Sequence, residues 1–103
     1  MKHVDRGMTA TVLNQLPMTF DTHRVERRVL RLFPIEFAEE LLEFRHADDP
    51  LLRFSAAFSQ WIGNTFHREI RKSSNRKVRT ANLGGKKSDN QGWTKVNPGI
   101  PIV

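Results

Sequence analysis

Between Leu51 and Ile70 the apolar residues Leu51, Phe54, Phe58, Trp61, Ile62, Phe66 and Ile70 recur at helical spacing. That spacing gathers them on one side of a cylinder and predicts a helix over 50–73. Asp49 is placed to cap it, Pro50 suits its first position, and Asp48 adds charge favourable to a helix N-terminus. Gly63-Asn64 interrupts the run at a cost of about 1 kcal/mol relative to alanine, which marks a kink or a close approach of another backbone. Unbroken, such a helix reaches roughly 36 Å, more than a three-helix core needs, so its last turns should project.

Two shorter helices precede it. Phe20-Asp21 followed by Val25 gives an N-cap with the spacing of a hydrophobic staple, and the helix it starts should run over 21–33, stopped by Pro34. Pro34 then opens a second helix over 34–46, with Ile35, Phe37, Ala38, Leu41, Leu42 and Phe44 as its apolar half. Both carry a charged stripe at i, i+3, i+4, i+7: Arg24, Arg27, Arg28 and Arg31 on the first, Glu36, Glu39, Glu40 and Glu43 on the second. Either the stripes pair with each other or with neighbouring subunits, as exposed ion pairs worth about 0–1 kcal/mol each, or they are separate faces. The pairing reading is preferred, which leaves the arginine face as a secondary basic surface.

The ends of the chain are less regular. Residues 1–18 read as an extension, a short strand or one or two helical turns closed by Pro17, and Met18 is a possible alternative start. Beyond Asn75 the apolar periodicity fades. Val78 and Thr80 favour extended structure, Gly84-Gly85 signals a turn, and 92–96 reads as a returning strand. The expected architecture is therefore mainly α: a small three-helix core over 19–75, then a basic β-hairpin or extended arm and tail over 76–103.

Charge sharpens this picture. The chain carries a net +6. Arg68, Arg71, Lys72, Arg76, Lys77, Arg79, Lys86, Lys87 and Lys95 face only Glu69 and Asp89 within 68–95, leaving that segment at +7. The other eight cations and nine acids leave the remainder at −1. A local excess of this kind is the footprint expected of a polyanion-binding segment; the alternative is a solvated tail that only aids solubility. Trp93 is positioned either to stack on an exposed base or to fold back over the core. Asn75, Asn82, Asn90 and Gln91 add groups able to meet bases or sugars.

Catalytic and metal-binding patterns are missing from the sequence. There is no cysteine, the four histidines are widely separated, and Gly84-Gly85-Lys86-Lys87-Ser88 lacks the frame of a phosphate loop. Neither a cofactor nor an enzymatic activity is expected. No apolar run is long enough to cross a membrane, so a cytoplasmic location is the default expectation. The leading expectation is a small accessory protein that binds DNA or RNA through 68–95. The alternatives are a protein-interaction module docking through its charged faces, and a self-associating protein whose aromatic-rich core is shared between subunits.

Overall fold

The computed structural model covers residues 1–103 and describes all of them apart from the side chains of 74–76. Among the described residues the chain forms α1 (Arg6–Gln15), β1 (Thr19–Asp21), α2 (Thr22–Leu32), α3 (Pro34–Leu42), α4 (Pro50–Thr65), β2 (Ile70–Ala81) and β3 (Lys87–Lys95). The strands make an antiparallel sheet in the order β1-β3-β2. The fold is thus α+β, which corrects the expected three-helix core with an arm. The segment from Ile70 onward is a hairpin, but one edge of β3 is paired to β1, through Phe20 opposite Trp93. That pairing makes the hairpin part of the scaffold.

Local chemistry explains most of the element boundaries. Asp5, Asp21 and Asp49 each cap a helix, accepting from the backbone N–H of Met8, Arg24 and Leu52 at 2.8, 2.8 and 3.2 Å. Pro34 and Pro50 occupy first turns, where a missing N–H costs nothing. Helix α3 ends at Leu42, short of the expected His46, because the next amides reach back only three residues, Phe44 to Leu41 and Arg45 to Leu42. Helix α4 ends at Thr65, well short of Ser73. Phe66 caps it, and Ile70 already belongs to β2, so the apolar spacing continues across two different elements.

One apolar cluster runs from Val4 to Ile102. Phe37, Phe54, Phe58, Ile62 and Phe66 are fully buried in it, joined by α1 through Val12 and Leu13 and by the sheet through Phe20, Ile70 and Trp93. The rings form a chain: Phe37 and Phe44 meet Phe54 edge-on, Phe54 stacks on Phe58 at 5.4 Å, and Phe58 on Trp61 at 5.8 Å. The residues read as an extension are therefore core, and they are pinned twice over. Buried Glu40 accepts from the backbone N–H of His3 and Val4 at 2.8 and 3.0 Å, while the Arg6 guanidinium lies 4.5 Å over the Phe66 ring. The aromatic content that suggested a core shared between subunits is accommodated within one chain.

Trp93 closes the structure. It is buried, its Nε1 donates to Thr22 Oγ1 at 3.0 Å, and its ring lies directly over Gly63. A Cβ on Gly63 would stand 2.8 Å from Trp93 Cη2, so the glycine in the last turn of α4 is there for close approach.

Gly63→Ala should thus destabilise the protein by about 1–3 kcal/mol through overpacking, against the usual stabilisation of a helix by alanine. Chemical denaturation would show this, and a gain in stability would contradict the packing. Deleting 76–103 removes Trp93 and Ile102 from the core, so the remainder should lose its cooperative thermal transition by circular dichroism.

Candidate nucleic-acid interface

The strand register decides which cations share a surface. Lys72 pairs with Trp93, and Lys77 pairs with Gln91, with a shift of register between them. Five steps along β2 thus correspond to two along β3. In a regular strand, residues five apart face opposite ways. The irregularity brings Lys72 and Lys77 to one face, the face on which Trp93 meets α4, and Arg79 follows them opposite Asp89.

Between this face and α4 lies a cleft of about 710 Å³. Its helical wall carries Ser55, Ser59 and Gly63, spaced by four and flanked by Ala56, Gln60 and Asn64, with His67 in the turn beyond α4. Its other wall carries Lys72, Lys77, Asp89, Asn90 and Gln91, with Arg71 beside them and Trp93 beneath. The cleft is thus rimmed by Arg71, Lys72 and Lys77, which are exposed, and its lining sets hydroxyls and amides among the apolar groups of Ala56, Ile70 and Trp93. Such a lining offers donors to phosphate oxygens and two-way hydrogen bonding to bases or sugars.

The remaining expected residues are placed as follows. Arg68 is exposed in the turn after α4, and Lys86 and Lys87 are exposed at the hairpin tip. Arg79 is exposed and lies 3.7 Å from Asp89. Arg76 lies outside the described residues. Two others are corrected. Trp93 is buried, so its ring is not available to stack on a base. Lys95 donates through Nζ to the Leu16 carbonyl at 2.7 Å, and burial lowers its pKa, which makes it a clamp on the end of α1.

The arginine stripe is also corrected in its partners. Among the described residues no ion pair joins it to the glutamates of α3. Arg27 Nη1 instead donates to the Ala81 carbonyl at 2.6 Å and anchors the end of β2, with Arg24 beside it on the other face of the sheet. The acidic stripe pairs with the N-terminal segment, His3 reaching Glu39 at 3.1 Å and Glu43 at 3.2 Å, and Lys2 reaching Glu43 at 3.2 Å. The His3 and Lys2 contacts lower the pKa of Glu43. The sequence stripes were real; their partners came from elements whose presence the pattern did not reveal.

Beside the cleft, with Ser55 shared between them, is a smaller cavity of about 300 Å³. Glu26 is buried at its base, accepting a short hydrogen bond from Ser55 Oγ. Burial raises the Glu26 pKa to about 7, opposed by Ser55 and Arg27. His23 lies alongside, its Nδ1 3.0 Å from Thr80 Oγ1, which donates to Asp21 at 2.9 Å. Burial lowers the His23 pKa; the Asp21 carboxylate and the contact with Thr80 oppose that shift. Asn82 builds the hairpin turn above, its Oδ1 accepting from the amides of Gly84 and Lys86. Sequence reading passed over Glu26 because it sits among four arginines on a helix whose burial pattern was not yet known.

Among the described residues no group of side chains suits a metal ion, and no helix is long and apolar enough to cross a membrane. The class this geometry defines is an α+β domain with a cation-rimmed cleft. Comparison with protein-family models, curated proteins and solved structures finds no match.

The Glu26 environment sets a pH dependence. The unfolded chain ionises this carboxyl near 4.5 and the folded protein only near 7, so its contribution to stability falls as pH rises from about 4.5 through 7. The full cost is on the order of 3 kcal/mol. His23 acts in the opposite sense, with stability lost as pH falls below its ordinary 6.5. Glu26→Gln leaves the histidine effect in place, so the stability of the variant minus that of the parent should rise by about 3 kcal/mol between pH 4.5 and 8. Urea melts at both pH values measure it; a constant difference would contradict the buried acid.

Proposed function

We propose that the chain is a small non-enzymatic accessory protein that binds DNA or RNA in the cytoplasm. It grips the phosphate backbone with exposed cations of the β2–β3 hairpin. The observation carrying this reading is the register shift that sets Lys72 and Lys77 on one face of the hairpin, at the rim of a cleft whose lining includes the amides and hydroxyls of Ser55, Ser59, Gln60, Asn64 and Gln91. A cationic rim supplies affinity independent of sequence, and the lining supplies groups that meet sugars and bases. The outer edge of β2 supports the same reading. Its Arg71, Lys72, Lys77 and Arg79 discourage pairing with another strand while offering charge to a polyanion.

Fluorescence anisotropy with a labelled oligonucleotide at several salt concentrations tests the proposal. If about five phosphates are neutralised, log K should fall against log salt with a slope of about −4.5 for a duplex or −3.5 for a single strand. Reversing Lys72, Lys77 and Arg79 to glutamate should weaken binding strongly and reduce the magnitude of the slope by about 2–3. The same reversal at Arg24, Arg28 and Arg31 should do less, since these lie away from the cleft. Equal losses would extend the interface to α2. No binding by the parent protein would favour docking of an acidic protein partner along the same edge.

A further inference from the structure

The register shift in β2 does more than bring two lysines together. Lys72, Lys77 and Arg79 stand opposite Trp93, Gln91 and Asp89, which are alternate residues of β3. Alternate residues of an antiparallel strand share a face and lie about 6.8 Å apart. The three cations therefore form a row on one face, with a repeat of about 7 Å and a length of about 14 Å. In an unshifted strand Lys72 and Lys77 would face opposite ways, and the row would not exist.

That repeat has a chemical counterpart. Adjacent phosphates of a nucleic-acid strand are joined by six backbone bonds, which reach about 6–7 Å when the strand is extended. Successive phosphates can thus meet successive cations of the row, all of which are exposed. Asp89 is the acid beside the row, 3.7 Å from Arg79, and as half of an exposed pair it competes only weakly for the guanidinium. A strand lying on Lys72 and Lys77 has Ser59, Gln60 and Asn64 of α4 across the cleft, where hydroxyl and amide groups can meet its sugars and bases.

The shape of the cleft selects among nucleic acids. Its volume of about 710 Å³ is that of a pocket for one ligand of drug size, room for a nucleotide or two of single strand. The protein itself measures only 21 Å along its shortest axis, so a duplex is too broad to enter. A duplex laid against the outside fits the row poorly as well. Each of its strands winds about the helix axis and advances only about 3.4 Å along it per phosphate, half the repeat of the row.

We propose that Lys72, Lys77 and Arg79 bind three consecutive phosphates of an extended single strand of DNA or RNA, which runs along β2 and is taken in preference to a duplex. The proposal rests on the nucleic-acid reading above. It adds the strand state, the path of the strand and the number of phosphates held by the row.

The test is fluorescence anisotropy of the full chain with labelled oligothymidylate and oligouridylate of about eight nucleotides, the DNA and RNA arms, and with a blunt DNA duplex. The tighter of the two single strands should bind about tenfold more strongly than the duplex. Lys77→Val combined with Val78→Lys keeps the net charge but moves one cation to the other face. This exchange should weaken single-strand binding about tenfold and reduce the magnitude of the salt slope by about 0.7. Asp89→Asn removes the acid beside the row and should tighten binding about threefold. Duplex binding equal to that of the single strand, or undiminished binding by an exchange variant that circular dichroism shows to be folded, would overturn the row. Should the exchange disturb the fold, unchanged affinity in Asp89→Asn is equally contrary to it. Salt-dependent binding of single strand and duplex alike, indifferent to the exchange, overturns the row and leaves the general phosphate grip standing. Absence of salt-dependent binding to any of the three nucleic acids overturns both readings.

Discussion

The seating of Trp93 against Gly63 is the contact on which the arrangement depends. It joins the last strand to the C-terminal turn of the long helix, and the indole N–H fixes the same strand to Thr22 at the start of α2. Thr22 Oγ1 lies 3.0 Å from Ser59 Oγ, so one buried indole ties β3 to both α2 and α4. The short strand β1, the clamps at Lys95 and Arg27, and the polar contacts of Thr80 and Asn90 with Asp21 and His23 complete the attachment of the hairpin. With it, the hairpin stands at a set distance from α4, and the cleft exists as a consequence.

The register shift in β2 then determines what the cleft can do. Charge along the sequence says only that 68–95 is basic, whereas register says which of those cations act together. Lys72 and Lys77 share a face because the shift absorbs the odd spacing between them. Lys95, by contrast, is consumed in holding α1. The buried Glu26 shows the reverse economy: it weakens the fold above neutral pH and lines the smaller cavity.

Capped helix starts were legible from single residues. Asp21, Asp49, Pro34 and Pro50 stand where the pattern puts them, and the turn at Gly84-Gly85 is where Gly85 takes a positive φ of 82°. The fold class was not legible, for definite reasons. Three residues, Thr19–Asp21, are too few to show alternation, yet they convert an arm into a sheet. Thr9 and Thr11 suggested a strand, but their hydroxyls bond back to the carbonyls of Asp5 and Gly7 within α1. Phe66 and Ile70 kept a helical spacing across a helix end. The cleft had a signal that went unused: Ser55, Ser59 and Gly63 recur every four residues on the side of α4 away from its phenylalanines.

The central claim is that an integrated hairpin and α4 form one binding surface. Mapping amide shifts of the full chain on addition of a single-stranded oligonucleotide at low salt tests it most directly. The account predicts that the largest changes gather at Asn64, His67, Lys72, Lys77 and Gln91, from both walls of the cleft. Changes confined to α2 and α3, with these five residues unmoved in a folded protein, would contradict it.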